Sequence, residues 1–180
     1  MRGGNLPNVA LMALAASYFI QLGAGVFALA VVARVVSAAP PRSLAILEGA
    51  YRYDSGAFWQ VAPAITAALF LIATAANWRS RRRALLLGAF AAFLLSGAAT
   101  AGVLGPLFAD IAAAGYRDAV DPDLQRRAAV WYAADWGARC VDAIAGVALL
   151  VALTRPAPGR AALEPHPSLR PRAPAAEPER

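Results

Sequence analysis

The sequence has one cysteine (Cys140), one histidine (His166) and no lysine among its 180 residues. These numbers are too small for a disulfide framework, a cysteine-rich zinc site, a two-cysteine redox site or a bis-histidine haem. We therefore expect neither a metal nor any other cofactor. Charged residues are also scarce, at 16%, where a typical soluble domain has about 25%. With 59% hydrophobic residues and a mean hydropathy of +0.51, the composition is that of a membrane protein.

Long uncharged stretches predict the membrane spans. No charged residue occurs for 31 positions after Arg2, for 24 positions from Ser55 and for 26 positions from Ala84. Because about 20 apolar residues cross the hydrocarbon layer, each stretch is long enough. Only 12 uncharged residues separate Asp142 from Arg155, and they rise by about 18 Å as a helix. A fourth span therefore has to carry charged residues into the membrane.

The sequence thus predicts an all-α fold, an integral membrane bundle of four transmembrane helices. One transmembrane domain covers residues 1–154, and a disordered cytoplasmic tail follows at 155–180. The tail has seven prolines in 26 residues and contains His166, which we expect to be solvated. The spans are predicted at about residues 8–35, 57–78, 84–108 and 134–154.

Capping residues predict where helices start in the two long loops. Asp121 is a suitable N-cap, and Pro122 a suitable first residue, for a helix that continues into the fourth span and ends near Thr154. In the first long loop, Ser43 is a suitable cap for a short helix at the membrane interface. The apolar face of that short helix has the spacing i, i+3, i+7 and consists of Leu44, Leu47 and Tyr51.

The distribution of arginines predicts the orientation of the chain. The turn between the second and third spans has four arginines within Arg79–Arg83. With Arg2 and the five arginines of 155–180, ten arginines lie on that side of the membrane and six lie on the other. Because cytoplasmic loops are enriched in arginine and lysine, both termini are predicted to be cytoplasmic, in a multi-pass protein of the inner (plasma) membrane.

A cleaved signal peptide is the alternative interpretation of the N-terminus. The small residues Ser37-Ala38-Ala39 resemble a cleavage site. However, the apolar run before them is about twice as long as the core of a signal peptide, which has roughly 7–15 residues. We favour a retained first span, and the intact mass of the purified protein distinguishes the two.

A polar stripe on the fourth span is the most informative feature. Trp131, Asp135, Arg139 and Asp142 follow the spacing i, i+4, i+8, i+11, which places them on one helix face. Asp135 and Asp142 can each pair with Arg139. Charged residues within a span usually face a cavity or a partner, so we take these three charged residues as candidate catalytic residues.

Polar and aromatic side chains of the other spans reach the same depth, in the half of the membrane away from the cytoplasm. Pro63 also leaves the backbone carbonyl of Trp59 without its helical donor. Two interpretations stay open. These polar and aromatic residues form either a ligand pocket, or a structural Asp–Arg–Asp clamp beside a belt of aromatic residues at the membrane interface. For the pocket, the candidate ligand-binding residues are Gln21, Trp59, Gln60, Thr100, Trp131 and Tyr132.

The order of these features resembles the anthrone oxygenase-like membrane family, over roughly residues 12–154. Members have four spans, a small-residue first span, a short basic turn between spans two and three, and a proline that closes span three. A tryptophan precedes an arginine at the start of span four. The resemblance implies metal-free, cofactor-independent oxygenation of a polycyclic phenolic substrate. The matching positions are Gly23–Phe27, Asn77–Arg83, Pro106, Trp131 and Arg139.

Two functions compete on this basis. The first is binding or oxidation, without metal, of a small lipophilic aromatic or phenolic molecule. In the oxidising version Asp135 or Asp142 is the base, and Arg139 stabilises the enolate. The second is a non-catalytic accessory or assembly subunit of a larger membrane complex. The expected partners are the lipid bilayer, a small lipophilic ligand, and a membrane-protein partner or a second copy of the chain, with no nucleic acid.

Overall fold

A computed structural model describes residues 6–156, and the predicted tail beyond Pro156, with His166, lies outside them. The described chain is helical, and four of its helices are long and apolar enough to cross a membrane. The predicted all-α, multi-pass membrane fold is therefore confirmed at this level. The four helices are α1 (Leu6–Ala38), α2 (Gly56–Ala76), α3 (Arg83–Ala112) and α4 (Pro122–Thr154).

The start of α4 follows from the cap that the sequence predicts. The carboxylate of Asp121 accepts hydrogen bonds from the backbone N–H of Asp123 at 2.8 Å and of Leu124 at 3.1 Å. These bonds satisfy two of the N–H groups that a helix start leaves free. The helix then runs without interruption from Pro122 to Thr154, as predicted.

Pro106 does not close α3, in contrast to the expectation taken from the family resemblance. The helix continues past it to Ala112. Because proline has no N–H, it cannot donate to the carbonyl one turn earlier. The chain adapts with a π-helical segment at Thr100–Leu104, just before Pro106. A second π-helical segment, Ala28–Ala33, lies within α1, and nothing in its sequence predicts it.

The two ends of the bundle differ, and we name them by their connections. The turn end carries residues 77–82, and the loop end carries the long loops 39–55 and 113–121. At the turn end all four helices share one core, in which Phe70 of α2 lies 4.9 Å from Phe90 and 5.4 Å from Phe93 of α3, between ring centroids. These aromatic contacts close the turn-end half of the bundle.

The loop-end core is built from α1, α3, α4 and the first long loop. Within the described chain, α2 contributes no residue to it. The packing of α2 against α3 is confined essentially to the part of α3 before Thr100. Helix α2 therefore stays in contact with α1 while it separates from α3 toward the loop end. The buried members of this core include Leu29, Val36, Leu44, Ile111, Leu124 and Trp131.

The two long loops pair with each other at the loop end. The backbone N–H of Arg42 donates to the carbonyl of Ala119 at 3.2 Å, and the N–H of Asp121 donates to that of Pro40 at 3.0 Å. A 3-10 helix covers Arg42–Leu47, where a short interfacial helix was predicted. Its position relative to a membrane interface stays a prediction.

Ser43 does not cap this short helix, so that part of the prediction is wrong. Its hydroxyl donates to the carbonyl of Val36 at 2.6 Å and accepts from the N–H of Ala39 at 3.3 Å. The side chain thus closes the end of α1, because the loop folds straight back over the last turn of that helix.

Arg82 ties the turn end together from inside. It is only 3% exposed, whereas its arginine neighbours in the turn are exposed. Its Nη1 donates to the Oδ1 of Asn8 at 2.7 Å, and its Nε donates to the carbonyl of Arg155 at 2.9 Å. Asn77, which accepts from the same Nη1 at 3.4 Å, lies beside it. One guanidinium therefore joins the start of α1, the turn and the C-terminal end of α4, where a cation is favourable.

Candidate functional site

A cavity of about 610 Å³ lies between the two cores, and all four helices line it. Its volume falls within the roughly 300–1,000 Å³ that small-molecule sites occupy. Both π-helical segments contribute to its wall, as such segments often do at functional sites. The aromatic side chains of the wall are Tyr53, Trp59, Phe93, Phe108 and Trp131, and the polar ones include Gln21, Ser96, Thr100, Asp135, Arg139 and Asp142.

The three charged residues of α4 form one linked set on this wall. Nη1 of Arg139 lies 2.7 Å from Oδ2 of Asp142, and Nε lies 3.6 Å from Oδ1 of Asp135. Both predicted ion pairs are therefore confirmed. The side chain of Arg139 is 13% exposed, that of Asp142 is 10% exposed and that of Asp135 is 22% exposed. The bond to Asp142 has hydrogen-bond length and the contact with Asp135 is longer than a hydrogen bond, so Arg139 engages Asp135 less closely.

Gly25 of α1 makes room for the guanidinium. A Cβ atom at this position would lie 3.2 Å from Nη1 and 3.4 Å from Cδ of Arg139. It would also lie 3.6 Å from Cη2 of Trp59. The guanidinium of α4 and the indole of α2 thus both border the space that a side chain at this position of α1 would enter. Only the smallest residue leaves this space, so Gly25 belongs to the site although it has no side chain.

Hydrogen bonds from α1 and α3 hold α4 at the level of the charged set. The hydroxyl of Tyr18 donates to the backbone carbonyl of Asp142 at 2.8 Å in a buried position. On the α3 side, the indole N–H of Trp131 donates to the carbonyl of Leu104 at 3.1 Å, and its ring lies 5.0 Å from that of Phe108. The backbone of α4 is therefore fixed on both sides of the set, which favours a pre-organised site.

A small hydroxyl–amide cluster fixes the α1–α2 wall. Oγ1 of Thr66 lies 2.8 Å from Oγ of Ser17 and 3.1 Å from Oε1 of Gln21. It also lies 3.0 Å from the carbonyl of Ala62. Gln21 lines the cavity, so the cluster connects this wall to the packing of α2 on α1. Sequence reasoning missed Ser17 and Thr66, because small hydroxyl side chains are common in membrane helices and have no distinctive spacing.

Seven of the nine predicted site residues come together in the cavity wall, and two do not. Gln60 is exposed, next to Trp59, which lines the cavity. Tyr132 packs against Trp136, with ring centroids 6.3 Å apart, at the loop-end core. Consecutive residues of an α-helix point about 100° apart, and at both of these positions the neighbouring tryptophan faces the cavity instead. The seven lining residues are Gln21, Trp59, Thr100, Trp131, Asp135, Arg139 and Asp142.

The wall is incomplete where α2 and α3 separate. Five small residues, one at the start of α2 and four on α3, line the cavity and are exposed. They mark an opening between the loop-end halves of α2 and α3, which we call the α2–α3 cleft. The residues of its rim are Gly56, Gly97, Thr100, Ala101 and Gly105.

Comparisons with known proteins find no relative of this chain. Neither a protein-family model, nor a curated protein, nor a solved structure matches the chain. The resemblance to the anthrone oxygenase-like family therefore stays a prediction from sequence features. Among residues 6–156, no three His, Cys, Asp or Glu side chains come together in a group that could hold a metal ion. The class that the fold defines is a four-helix, multi-pass membrane protein whose bundle contains a largely apolar cavity with a charged set in its wall.

Proposed function

We propose that this cavity binds a small lipophilic molecule that carries an aromatic ring and a hydroxyl group, a phenol in the simplest case. One observation carries the proposal. The Asp135–Arg139–Asp142 set lies in the wall of a cavity large enough for such a molecule, between aromatic side chains of three helices and of the first long loop.

The charge of the set favours a neutral hydrogen-bond donor over an anion. Two carboxylates share one guanidinium, so the set has a formal charge of −1, and a bound anion would add like charge in a weakly screening environment. A phenolic hydroxyl instead donates one hydrogen bond. Asp135 is the acceptor we favour, because its contact with Arg139 is the longer one.

The aromatic walls suit a ring. The indoles of Trp59 and Trp131 and the ring of Phe108 line the same cavity. Offset or edge-to-face contacts between aromatic rings contribute about 0.5–1.5 kcal/mol each beyond the burial of area. Trp131 is already held by its hydrogen bond to Leu104. Its ring is therefore a fixed surface that loses little freedom when a ligand binds.

We also propose that the turn end faces the cytoplasm, in the inner membrane. Within residues 6–156, the turn end has five arginines at 79, 81, 82, 83 and 155 and no carboxylate. At the other end, the long loops and the adjoining helix ends together contain six arginines and six carboxylates. Because positive charge is retained on the cytoplasmic side, this asymmetry supports the orientation. The cavity then lies in the half of the membrane away from the cytoplasm.

A pair of ligands that differ only in the hydroxyl tests the binding proposal. In lipid nanodiscs, para-hexylphenol is expected to raise the melting temperature saturably, whereas hexylbenzene is not. Asp135→Asn should weaken phenol binding about tenfold, because a charge-assisted hydrogen bond becomes a neutral one. Asp123→Asn is the matched control, since Asp123 is exposed in the first turn of the same helix. Equal stabilisation by both ligands would contradict the proposal.

Two further readouts separate binding from the other functions. Oxygen uptake in the same phenol-loaded samples reports whether the bound molecule is also oxidised. Native mass spectrometry on protein extracted gently from its own membranes reports what accompanies it. A stoichiometric aromatic ligand is expected there. A stoichiometric protein partner without a small molecule would replace the proposal with that of an accessory subunit.

A further inference from the structure

The described part of the bundle is closed along three of its four helix–helix edges. Between α1 and α2, Thr66 joins Ser17 and Gln21. Between α1 and α4, Tyr18 binds the backbone of Asp142. Between α3 and α4, the indole of Trp131 binds the backbone of α3. The edge between α2 and α3 is packed only near the turn end, by Phe70 with Phe90 and Phe93.

The α2–α3 cleft therefore connects the cavity with the surface that the bilayer covers. The helix faces on either side of it expose large apolar side chains, as lipid-facing surfaces do. At the loop end, the two long loops are joined to each other by backbone hydrogen bonds. The exposed apolar side chains on α2 and α3 include Val61, Ile65, Leu94, Leu95 and Val103.

We infer that the ligand is an amphiphile taken from the bilayer, with its phenolic head beside Asp135 and Arg139 and a single hydrocarbon tail that leaves the cavity through the α2–α3 cleft. This inference rests on the proposed function, which it makes more specific. The polarity along the path matches such a molecule, because the charged set lies inside and the cleft opens to hydrocarbon. The α3 side of the rim consists of small residues, among them Gly97 and Ala101.

Two glycines of α3 provide a matched pair of variants. A Cβ atom at Gly97 meets no atom within 4 Å, and the same holds at Gly102. Gly97 lines the cavity, whereas Gly102, five residues further on, is exposed and lies outside its wall. Gly97→Phe therefore adds a ring at the rim of the cleft, with no clash at its Cβ atom. Gly102→Phe adds the same side chain to the lipid-facing surface.

The probes are para-ethylphenol, which fits inside the cavity, and meta-pentadecylphenol, whose tail has to leave it. Gly97→Phe should weaken binding of the tailed probe by about tenfold or more, because the added ring takes the space through which the tail leaves. The affinity for para-ethylphenol should change by less than about threefold in the same variant. Gly102→Phe should leave the affinity for both probes unchanged. Each probe also partitions into the lipid. Because this partitioning is the same for every variant, it does not affect the ratio of the affinities that two variants have for one probe.

The wild-type protein supplies a second measurement that does not depend on the folding of a variant. A pentadecylphenol with a photoreactive group in the middle of its tail should label residues 56–65 of α2 and 94–105 of α3. Labelling of the long loops 39–55 or 113–121 instead would overturn the inference. The inference would also be overturned if Gly97→Phe weakened the binding of both phenols equally. A cross-link between two copies through the cleft would overturn it in favour of a dimer. If neither phenol binds the wild type, the proposed function itself fails.

Discussion

The guanidinium of Arg139 borders the space that a side chain at Gly25 would enter, across the α1–α4 interface. A Cβ atom on Gly25 would lie 3.2 Å from Nη1, closer than most such contacts allow. The position of the buried cation therefore depends on the absence of a side chain one helix away. This relationship links a packing glycine to the chemistry of the cavity, and it can be tested with a single substitution.

Gly25→Val is expected to displace Arg139 and the neighbouring Trp59. Overpacking of this kind lowers the free energy of unfolding by about 1–3 kcal/mol and should abolish phenol binding. Gly23→Val is the control, because a Cβ atom at Gly23 meets nothing within 4 Å. Thermal unfolding and ligand titration in nanodiscs measure both effects. Equal behaviour of the two variants would show that Arg139 is not held by this contact.

Removal of the cation should leave two carboxylates unpaired inside the bundle. Arg139→Gln is expected to lower the free energy of unfolding by about 3 kcal/mol, since breaking a buried ion pair from one side is costly. Asp142→Asn should destabilise the wild type but be neutral or stabilising in the Arg139→Gln background. A double-mutant cycle measures this coupling. Additive effects would mean that the 2.7 Å pair contributes little to stability.

The turn end offers a prediction that is independent of the cavity. Arg82→Ala removes a buried guanidinium that joins Asn8, Asn77 and the carbonyl of Arg155. We expect a loss of about 2–3 kcal/mol in the free energy of unfolding, as for hydrogen bonds to a charged group. Arg81→Ala, at an exposed position, should have little effect. Equal destabilisation by both variants would point to the total charge of the turn rather than to the hydrogen bonds of Arg82.

The N-cap of α4 should give the protein a dependence on acid pH. The backbone N–H groups of Leu124 and Asp123 lower the pKa of the Asp121 carboxyl below its usual range. A lowered pKa in the folded state contributes stability that is present above the unfolded pKa of about 3.9 and is lost as the pH falls through the folded value. Asp121→Asn keeps the cap without the titration.

Melting temperatures of Asp121→Asn and the wild type, measured from pH 3 to pH 7, test this prediction. The wild type should lose stability relative to the variant below about pH 4. Other carboxylates titrate in both proteins, so the difference between the two curves isolates Asp121. Parallel curves over the whole range would contradict the role of its ionised form in the cap.

The sequence predicted those parts of the structure that depend on one helix at a time. Uncharged stretches predicted the first three helices, and the Asp121–Pro122 pair predicted the start of α4. The spacing of Asp135, Arg139 and Asp142 predicted both ion pairs, because residues three and four apart on a helix are neighbours.

Relationships between helices could not be predicted in this way. Gln60 and Tyr132 were placed in the cavity from their depth alone, although depth does not determine which way a side chain points. The π-helical segments and the separation of α2 from α3 depend on tertiary packing. In the sequence, Arg82 looks like the other arginines of its turn. Only the fold shows that Arg82 is buried and hydrogen-bonded while the others are exposed.

Tryptophan fluorescence tests the central claim, that the cavity binds a phenol beside the charged set. Trp59 and Trp131 line the cavity, whereas Trp78 is exposed at the turn end. In a Trp78→Phe, Trp136→Phe background, para-bromophenol should quench the two remaining indoles saturably, and bromobenzene should not. The quenching should disappear with Gly25→Val and persist with Gly23→Val. Linear, unsaturable quenching that is the same for both compounds and both variants would contradict the account.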